Sequence, residues 1–178
     1  MPEPGVPPAG AGPAPEQLVD RFRTTMQRLP SGVTVVSLRQ GATDYAMTAT
    51  AVASVSLRPP MVLFCVHTDA RVREVLDEVD TWAISLLDAG AGVAAERLAS
   101  PGRPALGQLL GIAHHRGAAS GAALLDAAQG WVECRTAWVK NAGDHDVVVG
   151  EVLDAQLGPT ATGGLVHHLG RVRVLPGR

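Results

Sequence analysis

Apolar residues in this chain come in short runs, and proline, glycine or a polar turn stops each one. A membrane-crossing helix needs about 20 predominantly apolar residues in succession. The longest candidate, 46–66, is interrupted by Arg58-Pro59-Pro60, so no membrane span or membrane partner is expected. Short runs suit strands instead. Val33–Leu38 is β-branched and predicts a strand that ends in a polar turn at Arg39–Asp44. Tyr45–Ser56, rich in Thr, Val and Ala and lacking helix caps, predicts two strand segments or one bent strand. Pro59-Pro60 gives an extended entry into Met61–Val66. Thr81–Leu87, Gly130–Val139, His145–Leu157 and Leu165–Leu175 predict further strands, with a turn at Lys140–Asp144.

Helical spacing is confined to three places. Leu18, Phe22, Met26 and Leu29 share one face of a helix that Pro30-Ser31-Gly32 terminates. Val72, Val75, Leu76 and Val79 suggest a short helix, and Asp88 can cap another running to Leu98. Residues 100–121 hold Gly, Pro and His without a period and read as a long irregular segment. Residues 1–15 are almost entirely Pro, Gly, Ala and Glu, which predicts a disordered arm ahead of one domain at 16–178. Many short strands with a few peripheral helices point to a mainly β, Greek-key-like antiparallel barrel, not to alternating βαβ units.

Composition narrows the function classes. With 178 residues, 46% of them hydrophobic, the chain can bury a sizeable core. A net charge of −2 argues against a nucleic-acid binder, and 3% aromatics leave little to stack on bases. The core must therefore be aliphatic. Cys65 and Cys134 sit in apolar stretches, form no CxxC and read as small buried residues. Met1–Pro15 lacks the basic start and apolar middle of a secretory signal, so the expected location is cytoplasmic.

No GxSxG, HExxH, GxxxxGK[ST] or strand-to-helix GxGxxG motif is present. Three segments carry chemistry instead. In 46–60, Thr48, Thr50, Ser54 and Ser56 alternate with apolar residues, so a strand there would show a row of hydroxyls. Such a face can approach a flat polar heterocycle, although threonine is also simply a good strand former. In Gly143-Asp144-His145-Asp146, a histidine opens a strand directly after a tight turn, where it can project into a cleft. Leu165–Arg171 reads as a strand with paired histidines and an arginine near its end. Adjacent histidines face opposite sides of a strand, so neither His114-His115 nor His167-His168 is expected to chelate a metal.

In order and spacing, these segments resemble the short-chain flavin reductase family, the reductase partners of two-component flavin-dependent monooxygenases. The resemblance runs from about Phe22 to Val172. It includes Phe22-Arg23 with Gly32-Val33-Thr34-Val35-Val36, Met47-Thr48-Ala49 with Ser54-Val55-Ser56-Leu57 and Pro59-Pro60, Trp131-Val132-Glu133-Cys134, and Gly143-Asp144-His145 with Gly150-Glu151-Val152. It implies an FMN-binding split barrel that forms a homodimer. It also implies FMN or FAD as cofactor, NADH or NADPH as co-substrate, and a monooxygenase that receives reduced flavin by diffusion. Carried over by motif position, Met47, Thr48, Ala49, Thr50, Ser54, Val55 and Ser56 would contact the flavin. His145 would be the catalytic residue beside the nicotinamide or the reactive flavin face, and Arg171 would lie at the cofactor rim.

Where the family carries a hydroxyl pair for the flavin phosphate, this chain has Ala70 and Val72, next to Asp69. Thr68, Arg71 and the start of the following helix remain as phosphate ligands. The family's closing G-R-Y motif is Gly170-Arg171-Val172 here. Two readings follow. One is an active reductase that binds flavin weakly and releases it. The other is a relative that has lost flavin and serves as a small-molecule binding or cofactor-independent catalytic module in biosynthesis.

Overall fold

The computed structural model describes residues 16–100, 102, 104, 106–159 and 163–177. The arm expected at 1–15 lies outside the described residues. The chain enters through α1 (Glu16–Met26) and then β1 (Ser31–Gly32), β2 (Thr34–Gln40), β3 (Thr43–Ala49), β4 (Val52–Leu57) and β5 (Pro60–His67). After α2 (Arg71–Val75) come β6 (Thr81–Leu87), α3 (Gly92–Ala99), β7 (His114–Arg116) and β8 (Ala123–Leu125). The long strands β9 (Ala128–Ala142) and β10 (His145–Leu157) follow, then β11 (Gly163–His168) and β12 (Arg171–Pro176).

One seven-stranded antiparallel sheet has the order β3-β2-β6-β9-β10-β5-β4. Its two edge strands are consecutive in the chain, joined only by Thr50-Ala51. Laid flat, six gaps of about 4.8 Å would hold the edges roughly 29 Å apart, beyond the reach of so short a link. The sheet therefore curls into a barrel with its seam between β3 and β4. Tyr45 and Ala49 of β3 accordingly share one interior cluster with Phe64 and Val66 of β5.

Alternation along each strand sorts the core into layers. Val36 and Leu38 of β2 face the barrel interior with Trp82, Ile84 and Val148, while Val35 packs outside with Ala95 and Leu98 of α3, Leu125 and Leu165. β2 is buried on both faces from Thr34 to Leu38, and the polar members Thr34 and Ser37 are tied to backbone carbonyls. Inside the barrel, Phe64 meets Trp82 edge-on at 4.8 Å while the indole N–H of Trp82 donates to the Thr136 hydroxyl at 3.0 Å. Buried serines hold the outer layer: Ser37 donates to the Ala123 carbonyl at 2.6 Å, and Ser85 accepts from the Leu125 N–H at 3.0 Å.

Several expectations change in three dimensions. The tract 165–175 is a hairpin, not one strand, because Leu169 and Gly170 turn the chain with φ of 52° and 73°. Arg171 therefore opens β12 instead of closing β11. The turn before His145 is confined to Gly143-Asp144, where Gly143 has φ of 83°. Part of 100–121 is ordered, since β7 pairs with β8. Asp88 accepts from the Gly90 N–H at 2.8 Å and caps a short 3-10 turn at Ala89–Ala91 that leads into α3. Cys134 is buried, but Cys65 is only half-buried, because Phe64 and Val66 take the interior positions on β5. Burial pushes the Cys134 thiol up to about 12. Among the described residues, no helix is long and apolar enough to cross a membrane.

Candidate functional site

The Thr50-Ala51 corner lies between α1 and the outer face of β5 and β10, and it borders a cleft of about 910 Å³. One wall is the apolar side of α1, including Phe22 and Met26; the other includes Ala51, Ala53 and Leu63. Small side chains make the second wall shallow enough for a flat ring to lie against it. Asp144, His145 and His167 bring polar groups to the same cleft. A volume of this size falls in the roughly 300–1,000 Å³ range of small-molecule sites.

His145 is oriented by its neighbour. The Asp144 carboxylate lies 2.8 Å from His145 Nδ1, and that contact holds the Asp144 carboxyl below the usual carboxylate range. A neutral His145 thus carries its proton on Nδ1 and keeps Nε2 as an acceptor. Across the β5–β10 pair, the His67 ring stands edge-on to His145 at 5.2 Å. His67 Nδ1 accepts from the Asp69 N–H at 3.1 Å. The imidazole of His145 is therefore a half-exposed hydrogen-bonding group at the polar end of an apolar slot.

A second cleft of about 620 Å³ adjoins the first, and Thr50 and His167 line both. Thr48, Glu96 and Arg171 also line it. Arg171 reaches this place because the Leu169-Gly170 turn ends beside the start of β12.

The expected site residues separate on this geometry. Thr50, His145 and Arg171 line the clefts, as does Thr48, whose hydroxyl is committed to the Ala95 carbonyl at 2.7 Å. Met47 and Ala49 pack into the barrel interior. Ser54, Val55 and Ser56 lie on edge strand β4, line neither cleft, and Ser56 Oγ accepts from the Arg58 N–H at 3.1 Å. The expected hydroxyl row does not form, because the Thr50-Ala51 corner carries the chain from one sheet edge to the other.

At the start of α2, Val72 is buried and Ala70 supplies no side-chain cap. The Thr68 hydroxyl donates to the Asp144 carbonyl at 3.3 Å. Arg71 pairs with Glu74 and sits over the Tyr45 ring at 5.6 Å, so neither phosphate candidate is free. Glu96 and the α1 wall carried no assignment in the sequence, and His167 was singled out only as one of a histidine pair with no cofactor role. Of these, only the apolar stripe of α1 left a periodic signal.

A family described as flavin reductase like domain matches residues 26–176. The NADH-dependent FAD reductase of Streptomyces globisporus is 38% identical over 165 residues, covering 89% of this chain and 90% of that protein. The reductase component of 4-hydroxyphenylacetate 3-monooxygenase from Thermus thermophilus is 37% identical over 139 residues, covering 78% and 85%. Among solved structures, the flavin reductase component of a bacterial two-component tryptophan halogenase superposes with a TM-score of 0.83 at 36% identity, covering 90% of this chain and 99% of that one.

Proposed function

The chain belongs to the flavin reductase-like family, and from that premise we propose that it is an NADH:flavin oxidoreductase that hands reduced flavin to a separate monooxygenase. The family match along residues 26–176 carries this reading. The residues present fit a flavin: an apolar slot with one wall of small side chains, a half-exposed imidazole at its polar end, and an adjoining cleft with an arginine. Bound flavin and nicotinamide supply the hydride chemistry themselves, so the protein need only orient them and keep water out. With flavin in the slot, Ala51, Ala53 and Leu63 would exclude water from one ring face, and Thr50 would offer a hydroxyl at the corner. His145, hydrogen-bonded to Asp144, positions a polar group of the nicotinamide or of the flavin edge. No protein acid–base pair is required, which accounts for the missing hydrolase and kinase motifs.

α1 supports a homodimer. No residue of this helix is buried, and Phe22 is 64% exposed beside Leu18, Met26 and Leu29. Such an apolar stripe calls for a cover, and in this reading a second copy packs beside the slot that Phe22 and Met26 also line. Light scattering on the purified chain should return twice the monomer mass, and a monomer would remove this part of the reading.

The decisive experiment is a turnover assay. Purified protein should consume NADH when FMN or FAD is added, seen as loss of reduced-nicotinamide absorbance. No acceleration by either flavin across a wide concentration range would overturn the assignment. His145→Ala should lower kcat/KM for NADH about tenfold, equivalent to about 1.4 kcal/mol.

A further inference from the structure

We infer that His67 is a positioning residue for His145, whose ring it holds at the polar end of the larger cleft without touching the ligand. The inference rests on the reductase reading and names the group that stands behind the imidazole. His145 opens β10 straight after the Gly143-Asp144 turn, and its side chain is 45% exposed. Among the described residues, its ring has one hydrogen-bond partner, the preceding Asp144, whose own side chain is 81% exposed. Asp144 settles which ring nitrogen carries the proton. A carboxylate on the same turn moves with that turn, however, so support from another element is needed to keep the ring in place.

The end of β5 gives that support twice. The Thr68 N–H and hydroxyl both donate to the Asp144 carbonyl, at 3.0 and 3.3 Å, and so pin the turn. His67 stands directly opposite His145 in the β5–β10 register, with ring centroids 5.2 Å apart and planes at 74°. Edge-on pairs of flat rings at such a distance are attractive. His67 is itself held from outside the pair, because its Nδ1 accepts from the Asp69 N–H at 3.1 Å. The Asp69 carboxylate, 4.0 Å from the same nitrogen, is too far to accept a hydrogen bond from it. The backbone bond uses the Nδ1 lone pair, so a neutral His67 carries its proton on Nε2, whereas a neutral His145 carries its own on Nδ1. The two rings are thus opposite tautomers, each set by a different aspartate. His145 and Asp144 line the larger cleft while His67 lines neither, so His67 acts through His145 and not on the ligand.

A double-mutant cycle on the full chain separates positioning from general support of the fold. His67→Ala should lower kcat/KM for NADH about threefold, less than the loss in His145→Ala, because the imidazole is present but no longer held. In a His145→Ala background the same substitution should change nothing. His67→Phe keeps a flat ring edge-on and should restore turnover. His67→Asn keeps an acceptor for the Asp69 N–H but no ring, and should not. A second readout needs neither flavin nor NADH. Proton–nitrogen NMR of the imidazoles, taken above the histidine titration range, should show wild-type His145 protonated on Nδ1. In His67→Ala that pattern should move towards the Nε2–H form as the ring leaves Asp144, and in His67→Phe it should stay. Additive losses in the double variant, unchanged kcat/KM in His67→Ala, rescue by Asn instead of Phe, or a His145 tautomer indifferent to His67 would each overturn the inference. Circular dichroism confirms that each variant is folded. A wild-type chain without flavin-dependent NADH turnover sinks the reductase reading, while the tautomer readout still decides whether His67 holds His145. Normal wild-type turnover with additive losses sinks the inference alone.

Discussion

Asp146, on the barrel, and Arg171, on the separate β1-β11-β12 sheet, show two opposite ways of placing a charge. Asp146, on the inner face of β10, is held by the Arg73 guanidinium and by Asn141 Nδ2 at 2.9 Å. Arg73 in turn reaches Asp77 at 2.6 Å. Arg171 lines a cleft with no ion pair among the described residues. The first arrangement satisfies its charges within the fold, and the second leaves donors for something outside it. Glu133 lies between the two kinds, since its Oε1 is buried without a hydrogen-bond partner among the described residues while its other oxygen is fully engaged. Its Oε2 accepts from the N–H groups of Ala119 and Ser120, at 3.0 and 2.6 Å, and from the Ser120 hydroxyl at 2.7 Å. A side chain at Gly117 would collide with that carboxylate, so the loop closes tightly around it. The difference teaches that internally paired groups should govern stability, whereas cleft groups should govern affinity.

The largest expected effect comes from the paired side. Glu133→Ala strands the donors of the 119–120 loop and should cost about 3 kcal/mol, since each unsatisfied buried group costs about 1–3 kcal/mol. For a chain of this size that is a fall in Tm of roughly 6–12 °C. Flavin affinity per folded molecule should not move, and a specific affinity loss would break the division. Next is Gly150→Ala, whose new Cβ would meet the Trp82 ring and press on the Cys134 Cβ. Overpacking of this kind costs about 1–3 kcal/mol, readable by denaturant unfolding.

A pH effect follows from Asp146. Its hydrogen bonds to Arg73 and Asn141 hold its carboxyl below the usual range. A depressed folded-state value means that the pair's contribution is complete above the unfolded-state pKa, about 3.9, and disappears as pH falls through the lower folded value. Wild type should therefore lose stability as the solution is acidified below about pH 4. Asp146→Asn should be less stable at neutral pH and flatter across that acid range. A wild-type slope unchanged by the substitution would show that Asp146 does not carry it. The smallest stability effect belongs to the cleft. Arg171→Gln should change unfolding free energy by no more than about 0.5 kcal/mol, as for surface positions generally. A larger loss would mean that Arg171 supports the fold after all.

Strands were legible along the chain from short β-branched runs such as Val33–Leu38 and from alternating burial such as that of Pro60–His67. The tight turn before His145 was legible for the same local reason, glycine being free to adopt positive φ. The hairpin at 165–175 was hidden, because Leu169 carries a positive φ that a leucine does not advertise. The ordered pair β7–β8 was hidden because its stability comes from packing over β2 and β6, far away in sequence.

What the sequence determined by itself was therefore the local alphabet: strands, turns, an aliphatic core, and a family resemblance that runs the length of the domain. Only the tertiary structure decided which polar residues are occupied and which are free. Arg73 meets Asp146, Arg116 meets Asp44, and Ser120 meets Glu133 across gaps that periodicity cannot see. The reason is physical. Local pattern reports which face a side chain takes, but the partner waiting on that face is supplied by a strand or loop that only the folded barrel brings near.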